Sequence, residues 1–202
     1  MDHKNLDLQI FNCNKCPEAK KYRAYPMPGF YGSNCFNNVA IIAQNPGLPN
    51  DIQKQKTFTF DEIEQDYIEG VFKAPIGDFL NTLLDIHVQD IFYSNVVKCA
   101  FPSGYQLNSE VDNCKEYLKS QLEIVKPRIV ICIGALALHY FLPGVNLAKY
   151  SLKTIYSTSW KIFPIYHPAY LSRFSDVIRK EYLSHAVEKL KELLDEKQIV
   201  SK

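Results

Sequence analysis

The chain has 202 residues, with 23 Lys plus Arg against 22 Asp plus Glu, so its net charge is +1. That balance excludes a polybasic tail protein and leaves any nucleic-acid contact to a local patch. Hydrophobic residues make up 47% and charged residues 22%, values of a folded globular chain and not of a disordered one. The length fits one domain, read here as residues 1–202, that buries roughly 70% of its unfolded surface and needs no disulfide staple. No apolar block follows Met1-Asp2-His3-Lys4, so no signal peptide is expected. The longest apolar runs, such as 129–138, are far too short to cross a bilayer. An intracellular, cytoplasmic location is the expectation. There, six cysteines read as metal ligands or core residues rather than as disulfides.

Residues 38–44 (NVAIIAQ) form a short apolar run ending at Asn45-Pro46-Gly47, which predicts a buried strand and a tight turn. Thr59 with Glu62 has the form of a capping box opening an acidic helix over 60–69. Ile76, Phe79, Leu80, Leu83 and Leu84 have helical spacing over 76–88. A second buried strand is expected at 91–97 (IFYSNVV). Ser109 and Asp112 form another capping box, opening a helix to Val125 with the stripe Val111, Cys114, Leu118, Leu122 and Val125. Pro127 ends it.

A third strand at 128–133 turns at Gly134 into a helix through Tyr140. A fourth, at 160–166, is cut by His167-Pro168. The last helix, 176–196, lines up Leu183, Val187, Leu190 and Leu194. This alternation predicts an α/β fold: a three-layer α/β/α sandwich around a mainly parallel four-stranded sheet. Such sheets bind ligands beyond the carboxyl ends of their strands. Asn45-Pro46-Gly47, Asn95, Gly134 and His167-Pro168 all fall at those ends.

Cys13 and Cys16 make a CxxC before Pro17, while Cys99 follows a strand and Cys114 sits one turn into a helix. Two ligands from a tight loop and two from a strand end and a helix close a four-thiolate site. On chemistry alone zinc and an iron–sulfur cluster suit it equally. Cys132 lies inside a strand as a small core residue, and Cys35 has no evident partner.

Together these motifs, in one order, resemble a known family. The order is CxxC-Pro, Gln44-Asn45-Pro46-Gly47 at a strand end, Phe72 before Gly77, Asn95-Val96-Val97-Lys98-Cys99, Cys114, Ile133-Gly134 and His167-Pro168-Ala169. It resembles the iron–sulfur uracil-DNA glycosylases, families four and five of that superfamily, over 11–173. The resemblance implies a structural [4Fe–4S] cluster on Cys13, Cys16, Cys99 and Cys114. It also implies an enzyme that flips uracil out of DNA and hydrolyses its N-glycosidic bond to leave an abasic site.

That chemistry needs a stacking plate, a reader of the base edge, a donor at uracil O2 and a placed water, because the base leaves as an anion while the sugar becomes cation-like. By resemblance Phe72 is the plate. Asn95 is the reader, since one amide offers both the donor for O4 and the acceptor for N3–H, and cytosine presents the opposite pattern. His167 is the O2 donor, as a neutral imidazole N–H aimed at developing charge.

Family four usually carries Gly-Glu-Ala-Pro-Gly at the first strand end. The Asn-Pro-Gly form found here is similar to the mismatch-specific and single-strand-selective branches, where the asparagine holds the attacking water. Asn45 takes that role here, with Gln44 near O2 or the phosphate. Gly47 has no side chain to block a 5-methyl group, which leaves thymine exclusion, and with it a substrate range that could take in hypoxanthine or other deaminated bases, open. The loop after Cys99 lacks the histidine of covalently trapping relatives, so no sugar adduct is expected. The acidic stretch 51–69 is a further departure from family four.

DNA contacts should be mostly to phosphate, from Lys98 and Arg173 together with Lys15, Lys20, Lys21 and Arg23, while Leu171 and Arg173 wedge into the gap left by the flipped base. A monomer without membrane contact is expected. Two other readings compete with the enzyme. One is a cluster-bearing DNA-binding or polymerase-associated module that has lost catalysis. The other is a zinc-stapled nucleotide-binding domain.

Overall fold

The computed structural model describes residues 2–21, 26–36, 38–46, 91–101 and 104–195. The helices expected at 60–69 and 76–88, the Thr59 capping box, and Gly47, Phe72 and Gly77 lie outside the described residues.

Two short helices open the chain: α1 (His3–Phe11) and α2 (Pro17–Lys21). The sequence reading had no element there. α1 is capped by Asp2, whose carboxylate accepts the Asn5 N–H at 2.9 Å. It buries only Leu6, Asp7 and Ile10, too few apolar positions to stand out in sequence. There follow β1 (Phe30–Tyr31), β2 (Val39–Ala43), β3 (Ile91–Asn95), α3 (Asn108–Val125), β4 (Ile129–Ile133) and α4 (Ala135–Phe141). The chain continues through α5 (Leu147–Tyr150), β5 (Ile155–Tyr156), β6 (Lys161–Ile165), α6 (Pro168–Leu171) and α7 (Asp176–Asp195).

The expected parallel core is present as β3-β2-β4-β6. It is extended to six strands by two-residue antiparallel edges, β1 against β3 and β5 against β6. These edges are too short to leave an apolar pattern. Every residue of β2, β3 and β4 is buried, because helices cover both faces. Ala40, Ile42, Phe92, Val130 and Cys132 pack toward Leu118, Leu122 and Val125 of α3 and Leu138 of α4. Val39, Ile41, Tyr93, Ile131, Phe163 and Ile165 pack toward Ala186, Leu190 and Leu193 of α7. Each fully buried Ile or Phe contributes about 1.5–3 kcal/mol, so these two aliphatic layers carry the sheet.

Several boundaries differ from the sequence reading. β3 stops at Asn95 rather than 97, and the chain then bends over the neighbouring strand end, with Val96 N donating to Ala43 O and Val97 N to Gln44 O, both at 2.9 Å. α3 begins at Asn108, with Leu107 at the cap and no side-chain cap bond. Ser109 is therefore already inside the first turn, and the Ser109–Asp112 box does not form. Pro164 is tolerated within β6 because β5 pairs only as far as Ile162. Its carbonyl accepts the Leu152 N–H at 2.9 Å.

Candidate functional site

The carboxyl ends of the four parallel strands supply the predicted site segments. Ala43 stands in register with Asn95, and Ile133 with Ile165. Gly134 N donates to Ile165 O at 2.9 Å, and a Cβ at Gly134 would come 3.6 Å from the His167 Cβ. Gly134 has φ +89°, a backbone that favours glycine, and it carries the chain from β4 into α4 beside His167. Asn95 and His167 thus share one edge of the sheet. They follow strands three places apart, or roughly 14 Å at about 4.8 Å per strand.

His167 is the N-cap of α6, and Pro168 at the first helical position fixes the turn. Its Nδ1 accepts the Ala169 N–H at 3.1 Å. An accepting Nδ1 places the proton of the neutral ring on Nε2. Burial lowers the imidazole pKa from its ordinary value, so the neutral form is favoured at physiological pH. The result is an oriented neutral N–H donor. Asn95 is buried, and its carbonyl accepts from the Lys98 ammonium at 2.8 Å. Asn45 is half-buried, its Nδ2 donating to Pro46 O at 2.8 Å, while Gln44 is exposed.

Two expected DNA contacts are overturned. Lys98 is only 1% exposed, and its ammonium donates to Ser94 Oγ (2.8 Å), Asn95 O (2.8 Å) and Gln121 Oε1 (2.6 Å). It cannot reach a phosphate. Desolvation pulls its pKa down to about 7, opposed by the negative charge of Cys114 and Asp7. Leu171 is 3% exposed and belongs to the core beneath α7. Among the exposed residues of that turn are Tyr170, Arg173 and Phe174. Tyr170 is 42% exposed and contacts the Phe174 ring at 5.3 Å, with the Arg173 guanidinium 5.9 Å from the Tyr170 centroid. Sequence reasoning missed this aromatic row. Its signal was the phase of the helical turn begun at Pro168. Of the other basic candidates, Arg23 lies outside the described residues, and Lys21 pairs with Glu18 at 2.6 Å. Lys15 sits 4.3 Å from the Tyr117 ring centroid.

Cys13, Cys16, Cys99 and Cys114 line one cavity with Lys20, Pro26 and Lys98. Cys16, Cys99 and Cys114 are buried, and Cys13 is half-buried. Burial raises the thiol pKa of Cys16 and Cys114 and pushes Cys99 up to about 12. Cys114 Sγ accepts the Lys98 backbone N–H and Cys16 Sγ accepts Asn113 Nδ2, each at 3.4 Å. Donors aimed at sulfur stabilise thiolate over thiol, which suits a ligand set. Among the described residues no three His, Cys, Asp or Glu side chains stand closed around a single metal position. The remaining two cysteines, Cys35 and Cys132, are buried in the core and do not line this cavity.

The family model for the Uracil DNA glycosylase superfamily matches residues 31–191. The chain belongs to the uracil-DNA glycosylase superfamily. It is similar to the Type-4 uracil-DNA glycosylase of Saccharolobus solfataricus, at 30% identity over 96% of this chain and 89% of that protein. A second Type-4 enzyme, from Archaeoglobus fulgidus, is 25% identical over 94% of this chain and 92% of its own. The Type-5 uracil-DNA glycosylase of Pyrobaculum aerophilum is 23% identical over 81% of each chain. The superfamily match spans the strand ends that hold Asn45, Asn95, Gly134 and His167.

Proposed function

We propose that this chain is a monofunctional DNA-repair glycosylase that excises uracil from DNA. The observation that carries the reading is the His167 ring, whose Nδ1 accepts the Ala169 N–H so that the neutral ring, favoured by burial, donates through Nε2, at the same end of the sheet as Asn95. The flipped base enters between them. Asn95 pairs with the uracil O4 and N3–H edge. As the glycosidic bond lengthens, negative charge grows on O2, and the His167 Nε2–H bond to it strengthens. An interaction stronger in the transition state than in the ground state is what accelerates the step. Asn45 orients the attacking water toward a sugar that is already cation-like, so no strong base is required. In this reading Gln44 serves O2 or the phosphate, and by the family resemblance Phe72 would be the stacking plate and Gly47 would leave the 5-position of the base unblocked.

Cys13, Cys16, Cys99 and Cys114 would hold the [4Fe–4S] cluster. Their shared lining of one cavity, with donors aimed at two of the sulfurs, supports a common site for the four thiolates. When bound, the cluster supplies a structural tie between the N-terminal loop, the end of β3 and α3. On the DNA face, Tyr170 and Phe174 take the wedge role first given to Leu171, with Arg173 facing phosphate. A protein acting on DNA as a monomer inside the cell completes the reading.

The test is release of free uracil from a uracil-containing duplex by the cluster-loaded protein, followed by strand scission in alkali. Uracil release that is lost in both Asn45→Ala and His167→Ala, with DNA affinity retained, supports the reading. No release from any deaminated base would refute it.

A further inference from the structure

We infer that Lys98 is a positioning residue that fixes Asn95 and joins it mechanically to the cysteine cavity. The inference rests on the reading of Asn95 as the base reader. A fully buried ammonium persists only where its donors are all taken. Lys98 meets that condition with three neutral acceptors: Ser94 Oγ, Asn95 O and Gln121 Oε1, at 2.6–2.8 Å.

The acceptors are themselves held. Gln121 Nε2 donates to Pro28 O at 2.6 Å and to the Tyr31 hydroxyl at 3.2 Å, and that hydroxyl donates to Asp7 at 3.3 Å. The Ser94 hydroxyl lies 2.9 Å from Pro28 O. Gly29 makes this closeness possible, because a Cβ there would stand 2.5 Å from Tyr93 O and 3.0 Å from Ser94 Oγ. Meanwhile the Lys98 backbone N–H donates to Cys114 Sγ at 3.4 Å, and its carbonyl accepts Met27 N–H at 2.8 Å. One residue therefore grips the cysteine site through its main chain and the reader through its side chain. The Asn95 carbonyl is anchored at one point, and the amide that reads the base follows from it.

The experiment uses the full cluster-loaded chain with Lys98→Met, which keeps the length of the stem and removes all three donors. Misplacing a reader by about 1 Å costs roughly 10²-fold in rate. We expect kcat on uracil DNA to fall by that order and inhibition by free uracil to weaken. The visible absorbance of the cluster, the Kd for uracil-free duplex and its salt slope should stay the same. A phosphate-contacting lysine would instead lower the salt slope by about 1 and weaken binding to every sequence. That outcome, or an unchanged kcat, overturns the inference. If Lys98→Met loses its cluster, Ser94→Ala decides, since it removes one acceptor and leaves the ammonium. A partial loss of kcat with a full cluster supports the inference, and no loss overturns it. Asn95→Ala runs alongside. If Asn95→Ala lowers kcat and Lys98→Met does not, only the positioning inference fails. If Asn95→Ala itself keeps full rate, the reader assignment fails and the inference falls with it.

Discussion

Replacing His167 by alanine tests its proposed role as the donor that stabilises the departing base. The loss can be sized from the structure. The ring is partly buried and oriented by the Ala169 N–H, so Nε2–H pays little reorganisation when charge appears on O2. Deleting one such preorganised donor costs about 3–4 kcal/mol, or on the order of 10²–10³ in rate. The same change removes the N-cap of a four-residue turn, a stability loss of about 1 kcal/mol. The two effects separate under single-turnover conditions with enzyme in excess over a uracil-containing oligonucleotide. There the chemical step is read directly, while the midpoint of thermal unfolding reports the cap. The expected result is a rate lower by on the order of 10²–10³, an unchanged Kd for DNA, and a Tm lower by only a few degrees. A rate within a few-fold of the parent chain would refute the assignment of His167 as O2 donor. So would a loss explained entirely by weaker DNA binding.

The other predictions concern pH, the cysteines and the DNA face. Burial lowers the His167 pKa below its ordinary 6.5, so the rate should hold through neutral pH and fall only on the acid side, below about 6.5. The folded chain binds this proton less tightly than the unfolded chain. Acid therefore also erodes stability as the pH falls below the unfolded value and on toward the folded one, and a pH series of kcat and Tm checks both. Cys99→Ser should abolish cluster absorbance and lower Tm. Because burial pushes the Cys99 thiol up to about 12, cluster assembly must release protons and should be weaker in acid, as titration of iron and sulfide into the apo chain would show. Tyr170→Ala should slow excision from duplex DNA more than from single strands, because only the duplex needs its gap filled. Equal losses on both would remove the wedge role.

The parallel core was legible because β2, β3 and β4 are buried on both faces and so read as continuous apolar runs. Gly134 and His167-Pro168 were legible as breaks at strand ends. The edge strands were not, since two residues carry no period. Leu171 and Tyr170 exchanged roles for a geometric reason. Neighbouring residues on a helical turn point about 100° apart, and Pro168 sets the phase so that 171 faces α7 and 170 faces solvent. Lys98 misled because a lysine after a strand is ordinarily a solvated charge. Its partner Gln121 is 23 residues away, on a helix whose apolar stripe gave no hint of a polar residue facing inward. The grouping of four cysteines was legible from their placement on a loop, a strand end and a helix, the choice of iron over zinc followed from resemblance, and the cavity that gathers Cys13, Cys16, Cys99 and Cys114 needed the fold.

The most direct test is a crystal structure of the cluster-loaded chain with an abasic duplex and free uracil. The account requires the uracil ring between Asn95 and His167, its O4 and N3–H on the Asn95 amide and its O2 within hydrogen-bonding distance of His167 Nε2. Uracil bound anywhere else, or seated there with O2 turned away from the imidazole, would contradict it.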